Sequence, residues 1–255
     1  MKCAALSKPL VLLLLWLLTA SGVSAREPGF IPSYVAPESA AYRPIYQLMM
    51  EAKILETTAD VLNQLFIFPR DINLAAAELG TVNAFYSPDH NTVVVSYELL
   101  AHFLEQFATP ENPEQGGQMA AGAFCFVLFH ELGHCLIHQL ELPTVGKEED
   151  AVDEFATLLL LESGDTGEIA ILSAASWFAT HRQGNDTTPF WDEHSLDMQR
   201  FYGIFTLLYA TNPGRYAEMA TSLGIPPERL AKAQVDYKKK DAAWSRLLQP
   251  HVRTP

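Results

Sequence analysis

The sequence predicts an α+β domain, mostly helical, with a small antiparallel sheet near its N-terminal end. Three observations carry this expectation. Strand-like runs are confined to residues 72–97, and helical periodicity precedes them and fills the chain after Leu99. Of the 255 residues, 49% are hydrophobic and only 18% charged, enough apolar material for a sizeable core.

In chain order, Lys2 and Lys8 precede an unbroken apolar run, Leu10 to Leu18, which leads to small residues ending Val23-Ser24-Ala25. Residues 1–25 therefore read as a secretory signal peptide cleaved near Ala25, and the protein is expected to be secreted or periplasmic. The run is about half of the ~20 residues that cross a bilayer, so no permanent membrane span is expected. Residues 26–44 carry Pro28, Pro32, Pro37 and Pro44 and read as an extended leader onto a single domain, 45–255. From Ile45 to Phe66 apolar residues recur at helical spacing until Pro69 stops them. Strand-like runs follow at Ile72 to Ala77, Val82 to Tyr86 and Thr92 to Tyr97, and the turn Ser87-Pro88-Asp89-His90-Asn91 makes a hairpin of the last two. The helical remainder is punctuated at Pro110 to Gly117, Leu142 to Gly146, Ser163 to Gly167, Gly184 to Pro189, Asn212 to Gly214 and Pro226-Pro227.

Charge narrows the function classes. Lys+Arg at 17 against Asp+Glu at 30 gives −13, a balance that repels phosphate backbones and anionic lipid, so no nucleic-acid partner is expected. Lys238-Lys239-Lys240, beside Asp236 and Asp241, reads as a solvated helix face. Cys125 and Cys135 fall in one predicted helix, roughly 15 Å apart, too far for a disulfide.

The chemistry concentrates at His130-Glu131-Leu132-Gly133-His134, inside the apolar stretch Ala120 to Leu140. Helix positions four apart differ by about 40° in azimuth and about 6 Å in height, so His130 and His134 present imidazoles to one point and read as ligands of one zinc ion. Glu131, about 100° round, reaches a water on that metal as general base. Catalytic zinc takes a third protein ligand. His138 sits about 12 Å along the axis from His130, too far, and the metzincin pattern would need Gly and His where Ile137 and Leu140 stand. The candidates are the acids Glu149, Asp150 and Asp153 of the next helix. Its apolar face is set by Val152, Phe155, Ala156, Leu159 and Leu160; Glu149 and Asp153 fall at the edge of that face, whereas Asp150 and Glu154 point outward. Further on, His194 precedes Ser195, a candidate N-cap, and reads either as a donor to the oxyanion of a hydrated carbonyl or as a surface histidine beside that cap.

The acid-bearing segment resembles the Glu-x-x-x-Asp helix of gluzincin metallopeptidases, which include thermolysin-like enzymes and the membrane-embedded CAAX-type proteases. In those families the first acid ligates zinc and the second orients a ligand histidine, which implies Glu149 as third ligand and Asp153 as the partner of His130. The gap from His134 to Glu149 is shorter than in thermolysin-like enzymes. Asn83-Ala84-Phe85-Tyr86 is similar to their Asn-Ala-aromatic edge strand, implying that Asn83 and Ala84 hold a substrate backbone. Together with Asp192-Glu193-His194-Ser195-Leu196-Asp197-x-Gln199-Arg200, these segments resemble, over residues 40–215, a bacterial family of zinc metallopeptidases of unknown function. The expectation is an exported zinc metallopeptidase of zincin-like architecture acting on a peptide or protein substrate. The alternatives are a degenerate zincin that binds a partner without cleaving it, and a cell-wall amide hydrolase.

Overall fold

The computed structural model describes residues 26–181 and 196–253. The expected signal peptide lies outside the described residues, as do His194 and Ser195.

The first strand, β1 (Phe30–Tyr34), falls within the stretch expected as leader. Phe30 is buried edge-on against Phe68, and the Asn63 amide bonds both its N–H and its carbonyl. Helix α1 (Arg43–Glu51) begins with Pro44 in its first turn, where a missing N–H leaves no partner wanting. The single helix expected up to Phe66 is two, because Lys53 takes a left-handed φ of 51° between α1 and α2 (Ile54–Leu65). Apolar spacing carries on across that break, so periodicity does not reveal it.

Strands β2 (Ile72–Ala77), β3 (Ala84–Ser87) and β4 (Thr92–Ser96) complete a sheet of order β1-β2-β4-β3. β1 and β4 both run parallel to β2, and only the β3–β4 hairpin is antiparallel. The sheet is thus mixed rather than wholly antiparallel. β1 escapes a propensity reading because Pro32 lies inside it, a residue tolerated on an edge strand. Tyr97 does not end β4; it begins α3 (Tyr97–Phe107), with the Ser96 hydroxyl accepting from Leu99 N–H as the cap.

Among the described residues six α-helices follow: α4 (Pro113–Gln139), α5 (Glu148–Leu161), α6 (Asp165–His181), α7 (Asp197–Thr211), α8 (Pro213–Ser222) and α9 (Pro227–Leu248). Helix α4 is apolar all round because it has core on two sides. Phe124, Leu128, Leu132 and Leu136 pack with Ile72, Leu74, Val93 and Val95 of the sheet, while Phe126 joins Ile171, Phe178, Phe205 and Tyr216 from α6 to α8. By length and composition α4 is also apolar enough to cross a membrane, and most of that stretch is buried inside the protein. The loop Leu142 to Gly146 reverses the chain, Gly146 supplying a φ of 100° that side chains disfavour. Helix α5 then lies close against α4 at Gly133, where a Cβ would come within 2.8 Å of Val152 Cγ1.

Candidate metal centre

Where α4 and α5 meet, the ring centroids of His130 and His134 are 5.0 Å apart. From the first turn of α5, Glu149 sets one carboxylate oxygen 3.2 Å from His130 Nε2 and the other 3.3 Å from His134 Nε2. Donor atoms of the three residues lie within 4.8 Å of one another. Tetrahedral zinc with bonds of about 2.0–2.1 Å holds its donor atoms about 3.3–3.4 Å apart; the two nitrogen–oxygen contacts run to different Glu149 oxygens, and it is the grouping of all three residues that lets them converge on one ion. Two imidazoles and a carboxylate are also the donor set of a catalytic rather than a structural zinc.

The other ring nitrogens are each held by a carboxylate. His130 Nδ1 lies 2.8 Å from Asp153 Oδ1, and His134 Nδ1 lies 2.7 Å from Glu148 Oε1. This fixes both rings with Nε2 toward Glu149. Asp153 is therefore the partner of His130, not a member of the donor cluster. Its own oxygens are both engaged by Arg200 of α7, with Nε and Nη2 each donating at 2.7 Å, and the guanidinium lies 4.3 Å from the centre of the Phe178 ring.

The electrostatics follow from burial and partners. Burial opposes the charged form of His130, but the Asp153 and Glu149 carboxylates outweigh it and take its pKa from 6.5 to about 9. His134 is raised against the same opposition by Glu149 and Glu148. Burial would raise Glu149, yet the two imidazoles hold it well below the carboxylate range. Asp153, also opposed by burial, falls to about 2 beside Arg200 and His130. Without metal the cluster thus balances its acids with protons on the histidines, which a divalent cation at the same point would displace.

Glu131 lies at one side of this cluster, where its Oε2 accepts the Tyr86 N–H of β3 at 2.9 Å. Tyr86 N–H therefore points away from β4, and by strand alternation the main chain of Ala84 faces the same outer edge. The main chain of Asn83 faces inward instead, its N–H donating to Ser96 Oγ and its carbonyl accepting from Ser96 N–H, while the residue itself is exposed. The hairpin is bolted to the last turn of α4, because Gln139 Nε2 donates to both Tyr86 Oη and Asn91 Oδ1 at 2.7 Å, and Tyr86 Oη sits 2.7 Å from His138 Nδ1. Glu98 adds a second anchor, its buried carboxylate accepting from Leu79 and Gly80 N–H in the loop before β3.

Asp150 is exposed, and Glu154 turns away from the cluster to pair with Lys240 of α9. Lys240 is thus tied to α5 rather than standing in a solvated run with Lys238 and Lys239. Two residues of the site went unassigned by sequence reasoning, Glu148 and Arg200. Glu148 is one of three acids in a first helical turn, where the helix dipole favours any of them; Arg200 stands in the family-like segment that ends Gln199-Arg200, and a buried Asp153 needs a cation.

A family model described as "Putative metallopeptidase" matches residues 34–248. No curated protein and no solved structure matches the chain.

Proposed function

The chain belongs to that metallopeptidase family, and on this premise we propose that it is an exported zinc-dependent peptidase in which Glu131 acts as general base. The observation that carries the reading is the convergence of His130, His134 and Glu149, with Glu131 next in sequence to the first of them. His130 Nε2, His134 Nε2 and a Glu149 oxygen would hold the ion. When bound, zinc supplies Lewis acidity that makes a water nucleophilic near neutral pH and polarises the scissile carbonyl. Everything else is done by the chain. Tyr86 N–H holds one Glu131 oxygen and so fixes the carboxylate that takes the proton of the attacking water and passes it to the leaving amine. An extended peptide adds to the outer edge of β3, where Ala84 offers main-chain groups without reading side chains. Asp153 and Arg200 keep His130 oriented through its Nδ1.

The test uses purified protein lacking residues 1–25, a metal assay and a mixed peptide pool. Glu131→Gln is expected to keep stoichiometric zinc and lose cleavage, while His130→Ala and His134→Ala lose the metal. Wild-type protein without stoichiometric zinc at neutral pH would overturn the reading. Zinc retained with no cleavage of any peptide would leave a binding protein in its place.

A further inference from the structure

The two histidines of the centre are held by unlike carboxylates. Asp153, on the His130 side, has a side chain only 8% exposed and is gripped by Arg200. Glu148, on the His134 side, has a side chain 44% exposed. It opens α5 one residue before Glu149, so consecutive residues of one helical turn address the two nitrogens of a single imidazole. Glu148 Oε1 is 2.7 Å from His134 Nδ1, and Glu149 Oε1 is 3.3 Å from His134 Nε2. An imidazole whose Nδ1–H donates to a carboxylate keeps the Nε2 lone pair for a metal, and its ring is held in one plane by that bond.

We propose that Glu148 is a positioning residue of the metal centre, fixing the tautomer and ring plane of His134 so that Nε2 meets Glu149. This rests on the reading of His130, His134 and Glu149 as metal ligands. A different account of an acid here is available, since any negative charge in a first helical turn is favoured by the helix dipole. That account applies equally to Asp150 in the same turn and needs nothing from His134. The two separate on chemistry: the dipole responds to charge, whereas positioning requires an acceptor oxygen within reach of Nδ1. Glutamine at position 148 keeps such an oxygen and loses the charge.

The experiment measures zinc affinity and zinc dissociation rate by competition with a chromophoric chelator, for wild type, Glu148→Ala, Glu148→Gln and Asp150→Asn, with thermal melts of the metal-free proteins alongside. Glu148→Ala is expected to weaken zinc about 10- to 100-fold, mainly through faster release. Glu148→Gln should recover most of that loss, and Asp150→Asn should match wild type. Wild-type affinity in Glu148→Ala overturns the proposal. So does an equal loss in Glu148→Ala, Glu148→Gln and Asp150→Asn, which would return the effect to the dipole. If Glu148→Ala does not fold, Glu148→Ser, equally unable to reach His134, replaces it. Wild-type protein that takes up no zinc sinks the metal reading itself, an outcome distinct from an unchanged affinity in the variants.

Discussion

Replacing Arg200 by methionine removes the guanidinium from Asp153 while keeping an unbranched, mostly apolar side chain over Phe178, so the perturbation is chiefly one of charge. Asp153 is 8% exposed in its side chain, and both its oxygens receive Arg200 N–H groups at 2.7 Å. Its pKa falls from 3.8 to about 2 although burial acts the other way, and at about 1.4 kcal/mol per pH unit its surroundings favour the ionised form by about 2 kcal/mol. The variant forfeits the Arg200 share of that and leaves the carboxylate buried with His130 as its remaining partner; breaking a buried pair in this way costs about 3–5 kcal/mol at neutral pH. The sign with pH is fixed. In wild type the Asp153 contribution is present above about 3.8 and is lost as pH falls through about 2. In the variant Asp153 takes up a proton at a higher pH, so the deficit against wild type should be greatest near neutrality and shrink toward about pH 4. Urea unfolding of the metal-free proteins at both pH values measures this. The double variant Arg200→Met with Asp153→Asn should recover a large part of the loss, because no charge is then stranded. A single variant within about 0.5 kcal/mol of wild type, or strictly additive effects in the double, would refute the reasoning.

Gly133→Ala should destabilise the fold by about 1–3 kcal/mol and weaken zinc binding, since the new Cβ would lie 2.8 to 3.1 Å from Val152 and Phe155 and push α5, with Glu149, off α4; unchanged melting and affinity would dispose of this claim. Asp153→Asn should cost about 10- to 100-fold in zinc affinity through the loosened His130 ring, and wild-type affinity in a chelator competition would mean that its Nδ1 contact does not orient the ligand. His130 is raised from 6.5 to about 9 in the metal-free protein, so it lends stability that is complete below about pH 6.5 and lost as pH rises through about 9. Urea midpoints of the metal-free form should therefore fall over that window and those of the zinc-loaded form should not; parallel curves for the two would count against a shared proton and metal position.

What could be read from the sequence was whatever depends on local periodicity. The helical azimuths of His130, His134, Glu149 and Asp153 follow from positions along two helices, and a reversing loop containing Pro143 and Gly146 is enough to turn α5 back on α4. What could not be read depends on how elements meet. Glu148 and Arg200 act through long side chains whose reach is decided by the approach of α5 and α7 to α4, which no spacing encodes. The parallel pairing of β1 with β2 is a tertiary choice made by a short segment with a proline in it, held by Asn63 across 33 residues. The break at Lys53 likewise leaves apolar spacing undisturbed on both sides.

The placing of the cluster explains why so polar a site coexists with so apolar a helix. His130, Glu149 and Asp153 are all buried, and each would be costly to cover alone. They lie where the sheet-side core meets the core of α6 to α8, and each polar group is offset by a partner from a different element: Asp153 by Arg200 of α7, Glu131 by the Tyr86 N–H of β3, the histidines by the carboxylates of α5. The contacts that orient the cluster are therefore also contacts between the two cores. Loosening α5 or α7 should cost metal affinity and stability together, and a bound ion, by holding α4 to α5, should stabilise the folded chain as a whole.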